Sequence, residues 1–371
     1  MLAGIDTPAL LLDVEKLDRN CERMRERVHG EGVMLRPHVK TAKSVEVAQC
    51  ALGSPAGPIT VSTLREAEYF FDHGFRDILY AVGLVPAKVG RLAGLTKRGA
   101  RISAIVDSRE AAQGVVDASL KAGVRIPTLM EIDSDGHRAG IAPGDTELFE
   151  VAEVLGDSLA GVMTHAGDSY NCTSVEGIRA VAERERKAVV SSAMALRSRG
   201  HASPVVSVGS TPTATFADSF AGVTEVRSGV YMFHDLVMAG LGVCALDDIA
   251  ISVLGSVIGH QRDKGWIITD AGWMALSRDR GTQKQKVDQG YGVVCDPAGR
   301  PIDDFIVADA NQEHGIIARR SGGPVDFERF PIGSLVRILP NHACATAAQH
   351  GEYHVLREGR AAETWERFSG W

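Results

Sequence analysis

The sequence predicts a (β/α)8 TIM barrel followed by a C-terminal antiparallel β domain. Two changes of texture carry that expectation. From about residue 30 to 230 a short apolar or β-branched run recurs eight times, each time followed by a small or polar residue and then a helical pattern. After roughly Leu241 the helical patterns thin out, and short strands split by Gly, Pro and Asp take over. A chain of 371 residues is long enough for one large domain and a smaller one. The expected division is 1–240 for the barrel and 241–371 for the β domain, and the first few residues are able to join the latter.

In order, the runs are "VMLRPHVK", "ITVS", "DILYAVG", "RISAIVDS", "IPTLMEIDSD", "LAGVMTHAG", "PVVSVGS" and "TEVRSGVY". Strands alternating with helices imply right-handed βαβ units and a parallel sheet. Eight of them in about 200 residues suit a closed barrel better than an open sheet. The segments between, such as "TLREAEYFFDHG" and "SREAAQGVVDASLKAG", place apolar residues at i, i+3 and i+4 and finish on Gly. In the longest one, Thr173 and Glu176 have the spacing of a capping box and Gly200 marks the stop. Beyond the barrel, "IAISVLGSVIGHQ", "GWIITDAGWM", "GRPIDDFIVAD", "SLVRILP" and "GEYHVLREG" read as strands.

Composition removes several function classes. Apolar residues make up 44% and charged residues 23%, ordinary for a soluble enzyme-sized protein. A net charge of −7 without any Lys/Arg-dense run argues against a nucleic-acid partner. The six cysteines are scattered, with no CxxC pair, which suits the reducing cytosol rather than a disulfide framework. The N-terminal stretch has an acid at Asp6 and no basic region, unlike a signal peptide. The apolar stretch from Leu236 to Leu246 is too short and glycine-rich to span a membrane. These features predict a cytoplasmic protein.

A barrel of this kind displays its chemistry at the C-terminal ends of its strands. The first run ends at Lys40, the fifth carries Glu131 and Asp133, and the sixth ends in "THAG" with His165. The seventh ends in "VGSTPT" (Gly209, Ser210, Thr211) and the eighth in "VRSGVY" (Arg227, Gly229, Tyr231). A solitary lysine at a strand end is usually just solvated, and a GST turn is as often a plain helix N-cap as an anion site. Together they describe a phosphate cradle beside a nucleophilic amine: backbone N–H groups and a hydroxyl suit a phosphate, and a nearby lysine suits a Schiff base. Pyridoxal 5′-phosphate (PLP) needs both.

The set "RPHVKT", "THAGDSY", "SVGSTPT", "TEVRSGVY" and "PNHACAT" resembles the fold-type III PLP enzymes. Within them it is most similar to the D-serine dehydratase / D-threonine aldolase branch, and there to the metal-activated D-threo-3-hydroxyaspartate dehydratases. The similarity runs from "DTPALLLD" to "TWERFSGW", nearly the whole chain. It implies a barrel of alanine-racemase type with a β domain, in a head-to-tail homodimer. It also implies that Lys40 holds the cofactor covalently, that Gly209, Ser210, Thr211, Gly229 and Val230 hold its phosphate, and that His165 and Tyr231 lie near it. Arg227 matches the position that faces the pyridine nitrogen in the racemases, and Tyr170 is the alternative in this branch. Two positions depart from relatives: Ala42 stands where many have histidine, and Asp168 where many have histidine or serine.

The stretch "LPNHACATAAQH" holds His342 and Cys344. In an extended segment residues i and i+2 share a face, so imidazole and thiolate are able to reach one ion. A bare HxC is usually accidental. Pro340, and the place of this motif in the resembling dehydratases, favour a metal: Zn2+ first, with Mn2+ or Mg2+ as alternatives. Two protein ligands leave positions open, as in a catalytic site. The related aldolases end this motif in a carboxylate, so cysteine leans toward a dehydratase. His38 reads as a packed support, and His260, His314 and His350 as structural or solvated. Asp270, Asp279 and "QEHG" sit where the second domain could reach a substrate.

The implied activity is a PLP- and metal-dependent lyase that removes water from a small D-3-hydroxy amino acid, D-threo-3-hydroxyaspartate or D-serine, to give a 2-oxo acid and ammonia. Lys40 takes the α-proton, the cofactor ring accepts the charge, and the metal helps the 3-hydroxyl leave. The runner-up is a D-threonine-type aldolase giving glycine and an aldehyde. A PLP-binding protein without turnover lacks the β domain and HxC, and an amino-acid racemase needs no ion.

Overall fold

The computed structural model describes residues 2, 4–136 and 138–371. The chain divides into two compact units, one of Cys21–Gly229 with Gly370–Trp371, the other of Met1–Asn20 with Val230–Ser369.

Strand β1 (Ala9–Asp13) and helix α1 (Val14–His29) lead into the larger unit. Its eight strands are β2 (Met34–Pro37), β3 (Pro58–Val61), β4 (Asp77–Gly83), β5 (Arg101–Val106), β6 (Thr128–Glu131), β7 (Leu159–Met163), β8 (Val205–Val208) and β9 (Glu225–Ser228). All pair in parallel, in the order β2-β9-β8-β7-β6-β5-β4-β3. A single parallel bridge, His38 to Thr60, joins the two outer strands and closes the ring. Every one of the eight expected runs is a barrel strand, so the eight-stranded parallel barrel is as the repeating pattern predicts. Helices α2 (Val45–Leu52), α3 (Leu64–Asp72), α4 (Pro86–Lys97), α5 (Arg109–Lys121), α6 (Glu147–Leu155), α7 (Val175–Ser198) and α8 (Thr211–Phe216) alternate with them.

Local chemistry sets where these helices begin. Thr63 and Ser108 cap α3 and α5 by accepting from Glu66 N and Ala111 N. The cap of α7 lies one residue beyond the predicted one: Ser174, not Thr173, accepts from Gly177 N at 3.1 Å. Either hydroxyl suits a cap, and the choice falls to the residue whose backbone is already extended (φ −150°). Inside the barrel, Leu79, Ile105, Leu129 and Met163 form an apolar layer.

The second unit begins with α9 (Leu236–Gly240) and continues as β10 (Ile251–Gln261), β11 (Trp266–Thr269), α10 (Trp273–Leu276), β12 (Gly292–Cys295), β13 (Pro301–Ala310), β14 (Gly315–Arg319), β15 (Leu335–Pro340), α11 (Ala343–Ala347), β16 (Glu352–Arg357) and β17 (Arg360–Glu366). Sheet order is β11-β14-β13-β12-β15-β10-β1-β16-β17, and β11 also pairs with β10. That extra pairing closes the first six strands into a small antiparallel barrel. Strand β10 serves both neighbours because it is 11 residues long and its register shifts between Val257 and Gly259. Strand β1 joins this sheet, antiparallel to β10 and parallel to β16. On one face of this sheet Val293, Cys295, Ile306 and Leu339 form a buried apolar cluster with Leu236 and Ile249.

Two expectations change here. The run "GWIITDAGWM" is not one strand: it stops at Thr269, and Trp273–Leu276 turn into α10. Strands β12, β14 and β17 escaped the pattern reading because they are short or lie in polar sequence. No disulfide joins the six cysteines, and among the described residues no helix is long and apolar enough to cross a membrane.

Candidate active site

In the parallel barrel all eight strand ends point to one rim, which gathers the basic groups the sequence singled out. Lys40 sits two residues past the seam bridge, in a turn fixed from both sides. Val39 N donates to Thr60 O at 3.0 Å, and Lys43 N closes the turn on Val39 O at 2.8 Å. Val39, Thr41 and Ala42 are buried, while the Lys40 side chain is exposed. The neighbouring lysine is committed elsewhere: Lys43 Nζ lies 3.6 Å from Glu66, a carboxylate with no exposed surface. Lys43 takes a left-handed backbone, φ +47°, in making that turn.

Four bases crowd this rim. Burial holds His38 well below the usual histidine range, and Lys40, Arg227 and His165 lower it further. Burial likewise takes His165 down to about 3, aided by Lys40, Arg227 and Arg138. His165 Nδ1 lies 2.7 Å from Gly209 O. A carbonyl only accepts, so the proton is on Nδ1 and Nε2 is bare. His38 Nε2 meets Ser62 Oγ at 3.3 Å. It supports the seam, as expected.

Arg227 is fully enclosed. Its Nε donates to Ser207 Oγ at 2.8 Å and its Nη2 to Thr164 O. Ser207 in turn donates to Glu225 at 2.7 Å, and Glu225 pairs with Arg36 at 2.6 Å. The guanidinium is thereby locked into a polar chain within the barrel. Tyr170 lies on the short helical turn Gly167–Asn171, its ring centre 6.2 Å from that of His165.

Gly209 and Gly229 are required by packing. A Cβ on Gly209 would lie 1.7 Å from Arg227 O, and one on Gly229 2.6 Å from His38 O. Ser210 caps α8, its Oγ accepting from Thr213 N at 3.2 Å and bonding Ser169 Oγ at 2.9 Å; Thr211 is the first residue of that helix. Glu185, missed in the sequence, is buried behind this turn and accepts from Gly209 N at 2.8 Å. Glu131 pairs with Arg138, and Asp133 is consumed in its own turn by the N–H groups of Asp135 and Gly136. Val230 and Tyr231 follow β9 in a buried helical turn assigned to the other unit. A cluster of cationic and neutral bases around an amine, with glycine-lined turns, fits an anionic aldehyde cofactor such as PLP.

In the β unit, β15 ends at Pro340. His342 is the last extended residue (φ −134°, ψ 112°) and Cys344 already belongs to α11, so the segment is not extended throughout. The two side chains nevertheless interact, and Cys344 is among the groups that raise the pKa of His342. His342 Nδ1 contacts Asp279 Oδ2 at 2.6 Å. Burial works against a charge on His342, but the interactions with Asp279 and Cys344 outweigh it and push its pKa up to about 11. A metal taking the ring displaces that proton. Among the described residues no three His, Cys, Asp or Glu side chains converge as a cage. An imidazole and a thiol backed by a carboxylate suit a borderline-soft divalent ion with open positions.

The other candidates are structural. Asp270 accepts from Ser256 N at 2.7 Å, His260 bonds Phe330 O at 2.8 Å and His350 bonds Ala275 O at 3.0 Å; His314 is exposed. Asp168 pairs with Arg184 at the surface.

The description "Alanine racemase, N-terminal domain" matches residues 12–236, and a serine dehydratase domain matches residues 250–356. D-threo-3-hydroxyaspartate dehydratase of Delftia sp. (strain HT23) is 52% identical, over 100% of this chain and 99% of that protein. This chain belongs to the D-serine dehydratase family of fold-type III enzymes. A second family member, D-serine dehydratase of Dictyostelium discoideum, is 31% identical over 95% of this chain and 94% of its own. The family fold is also seen in a Cys-to-Ala mutant of a D-threo-3-hydroxyaspartate dehydratase, solved in the metal-free form. It superposes with a TM-score of 0.98 at 51% identity, over 100% of this chain and 99% of that one.

Proposed function

We propose that this protein is a PLP- and zinc-dependent dehydratase of D-3-hydroxy amino acids, with D-threo-3-hydroxyaspartate or D-serine as substrate and a 2-oxo acid and ammonia as products. The observation that carries the reading is the imidazole–thiol pair of His342 and Cys344, in a chain 52% and 31% identical to dehydratases and only 26–28% identical to the aldolases it also matches. PLP bound here would supply an electron sink and the zinc ion a Lewis acid at the 3-hydroxyl.

The chain's own groups do the rest. Lys40 Nζ, which makes no ion pair within 4 Å among the described residues, would hold the cofactor covalently and, once the substrate's amino group displaces it, would be the amine placed to take the Cα proton. Gly209, Ser210, Thr211, Gly229 and Val230 enclose its phosphate, with Tyr231 nearby. His165, held neutral, adds no further positive charge beside Lys40 and Arg227. Arg227 commits Nε and Nη2 to the barrel's polar chain, and Arg227 or Tyr170 would face the pyridine nitrogen. His342 and Cys344 hold the zinc, Cys344 as thiolate. In this reading the enzyme works as a cytosolic homodimer, with no nucleic-acid or membrane partner.

A product assay tests the proposal. The purified holoenzyme is given D-threo-3-hydroxyaspartate, D-serine or D-threonine, with and without Zn2+. Ammonia with a 2-oxo acid is the expected result; glycine with an aldehyde would make it an aldolase.

A further inference from the structure

We propose that Asp279 is a positioning residue for the metal pair: it accepts the Nδ1 proton of His342 and so turns Nε2 toward the ion. The inference rests on the metal-dependent reading above and adds to it a residue that never touches the metal.

The geometry is specific. Asp279 Oδ2 lies 2.6 Å from His342 Nδ1. A carboxylate accepts, so the ring proton belongs on Nδ1 and the far nitrogen is the one offered. Metal-bound histidines commonly donate their other N–H to a carboxylate, which fixes tautomer and ring orientation together.

The surroundings hold both partners in place. Asp279 N donates to Ser277 Oγ at 3.1 Å, and Ser277 itself adopts φ +76°, an uncommon backbone for a residue with a side chain. The loop that carries Asp279 is tied to the residue just before His342. Thr282 N donates to Asn341 Oδ1 at 2.8 Å, and Asn341 Nδ2 donates to Gly290 O at 2.6 Å. On the other side of His342, Ala343 N donates to Asp235 Oδ2 at 2.9 Å, while Asp235 Oδ1 accepts from Met238 N at 2.9 Å. Asn341, Ala343 and Asp235 are all buried. The imidazole therefore stands between two pinned backbone positions, with the Asp279 carboxylate bonded to its Nδ1.

Zinc affinity of the holoenzyme, measured by competition with a chromophoric chelator, tests this in wild type, Asp279→Asn, Asp279→Ala and Asp279→Glu. We expect binding to weaken about 10- to 100-fold in the Asn and Ala variants and to recover in part with Glu. Unfolding midpoints report whether each variant is folded. In the cobalt-substituted Asn variant the thiolate-to-metal absorption persists while the ligand-field bands shift, a signature that general destabilisation would not produce. Equal zinc affinity in all four proteins would overturn the assignment. So would a loss as complete as in His342→Ala, which would make Asp279 a direct ligand. A wild-type enzyme that binds no divalent ion would instead sink the metal-dependent reading itself, and the inference with it.

Discussion

The imidazole of His165 donates from Nδ1 to the carbonyl of Gly209 at 2.7 Å. One bond thus joins the end of β7 to the glycine turn after β8 and fixes which ring nitrogen carries the proton. It also leaves a histidine that resists protonation, because burial and the charges of Lys40, Arg227 and Arg138 hold it at about 3.

That histidine makes stability pH-dependent. In the unfolded chain it takes a proton below about pH 6.5, whereas in the folded protein it stays neutral until about 3. Unfolding between those values takes up a proton, so stability is full at neutral pH and falls as pH drops through 6.5 toward 3. By pH 5 the loss from one such group is about 2 kcal/mol. Urea midpoints at pH 7.5 and 5 check this in wild type and His165→Asn: the wild type should lose more, and parallel losses would reject the assignment.

The two lysines of "VKTAK" separate by role. Lys40→Ala should abolish covalent attachment of the cofactor and lower turnover by at least about a thousandfold. Lys43→Ala should keep the attachment but cost about 1–3 kcal/mol, since it strips the cation from buried Glu66. The cofactor's absorption spectrum and a denaturation curve on each variant decide the matter; the reverse pattern would move the nucleophile to Lys43.

What the sequence made legible follows the length scale of each signal. Eight βα beats are read easily because every strand is flanked by helices and buried on both faces, leaving dense apolar runs. Lys40, His165, Gly209 and Arg227 were visible because a barrel strand announces its own C-terminal end. Asn341 and Glu185 were not, and Asp279 was legible only as a candidate substrate contact, never as the partner of His342. Each acts on a partner far along the chain, 59, 24 and 63 residues away, and nothing local marks an aspartate that will face a histidine. Strands β12 and β14 were missed for a related reason: four or five residues carry too little alternation to stand out.

Gly209 has no room for a side chain. A Cβ there would sit 1.7 Å from the carbonyl oxygen of Arg227, a backbone atom that cannot swing aside. Gly209→Ala should therefore cost about 1–3 kcal/mol by overpacking and weaken cofactor binding, because the turn is pushed off the end of β9. Thermal denaturation and a cofactor titration measure both effects. A variant as stable as wild type would show that the strand ends separate more easily than this packing allows.

Chelation should divide the two halves of the chemistry. Lys40 and the glycine turns belong to the barrel unit, and His342 and Cys344 to the β unit, so each group has its own set of ligands. Removing the metal takes nothing from the residues that hold the cofactor. Hydroxide, however, is a poor leaving group near neutral pH, and losing a Lewis acid worth several kcal/mol lowers turnover by about a thousandfold or more. The expected result with excess chelator is an enzyme that keeps its cofactor absorbance, makes almost no 2-oxo acid, and recovers when Zn2+ is restored. Cys344→Ser should resemble the chelated enzyme at low zinc, since a hydroxyl replaces a thiolate on a borderline-soft ion. Full turnover in excess chelator, with the cofactor still attached, would remove His342 and Cys344 from the reaction and leave their contact a structural one.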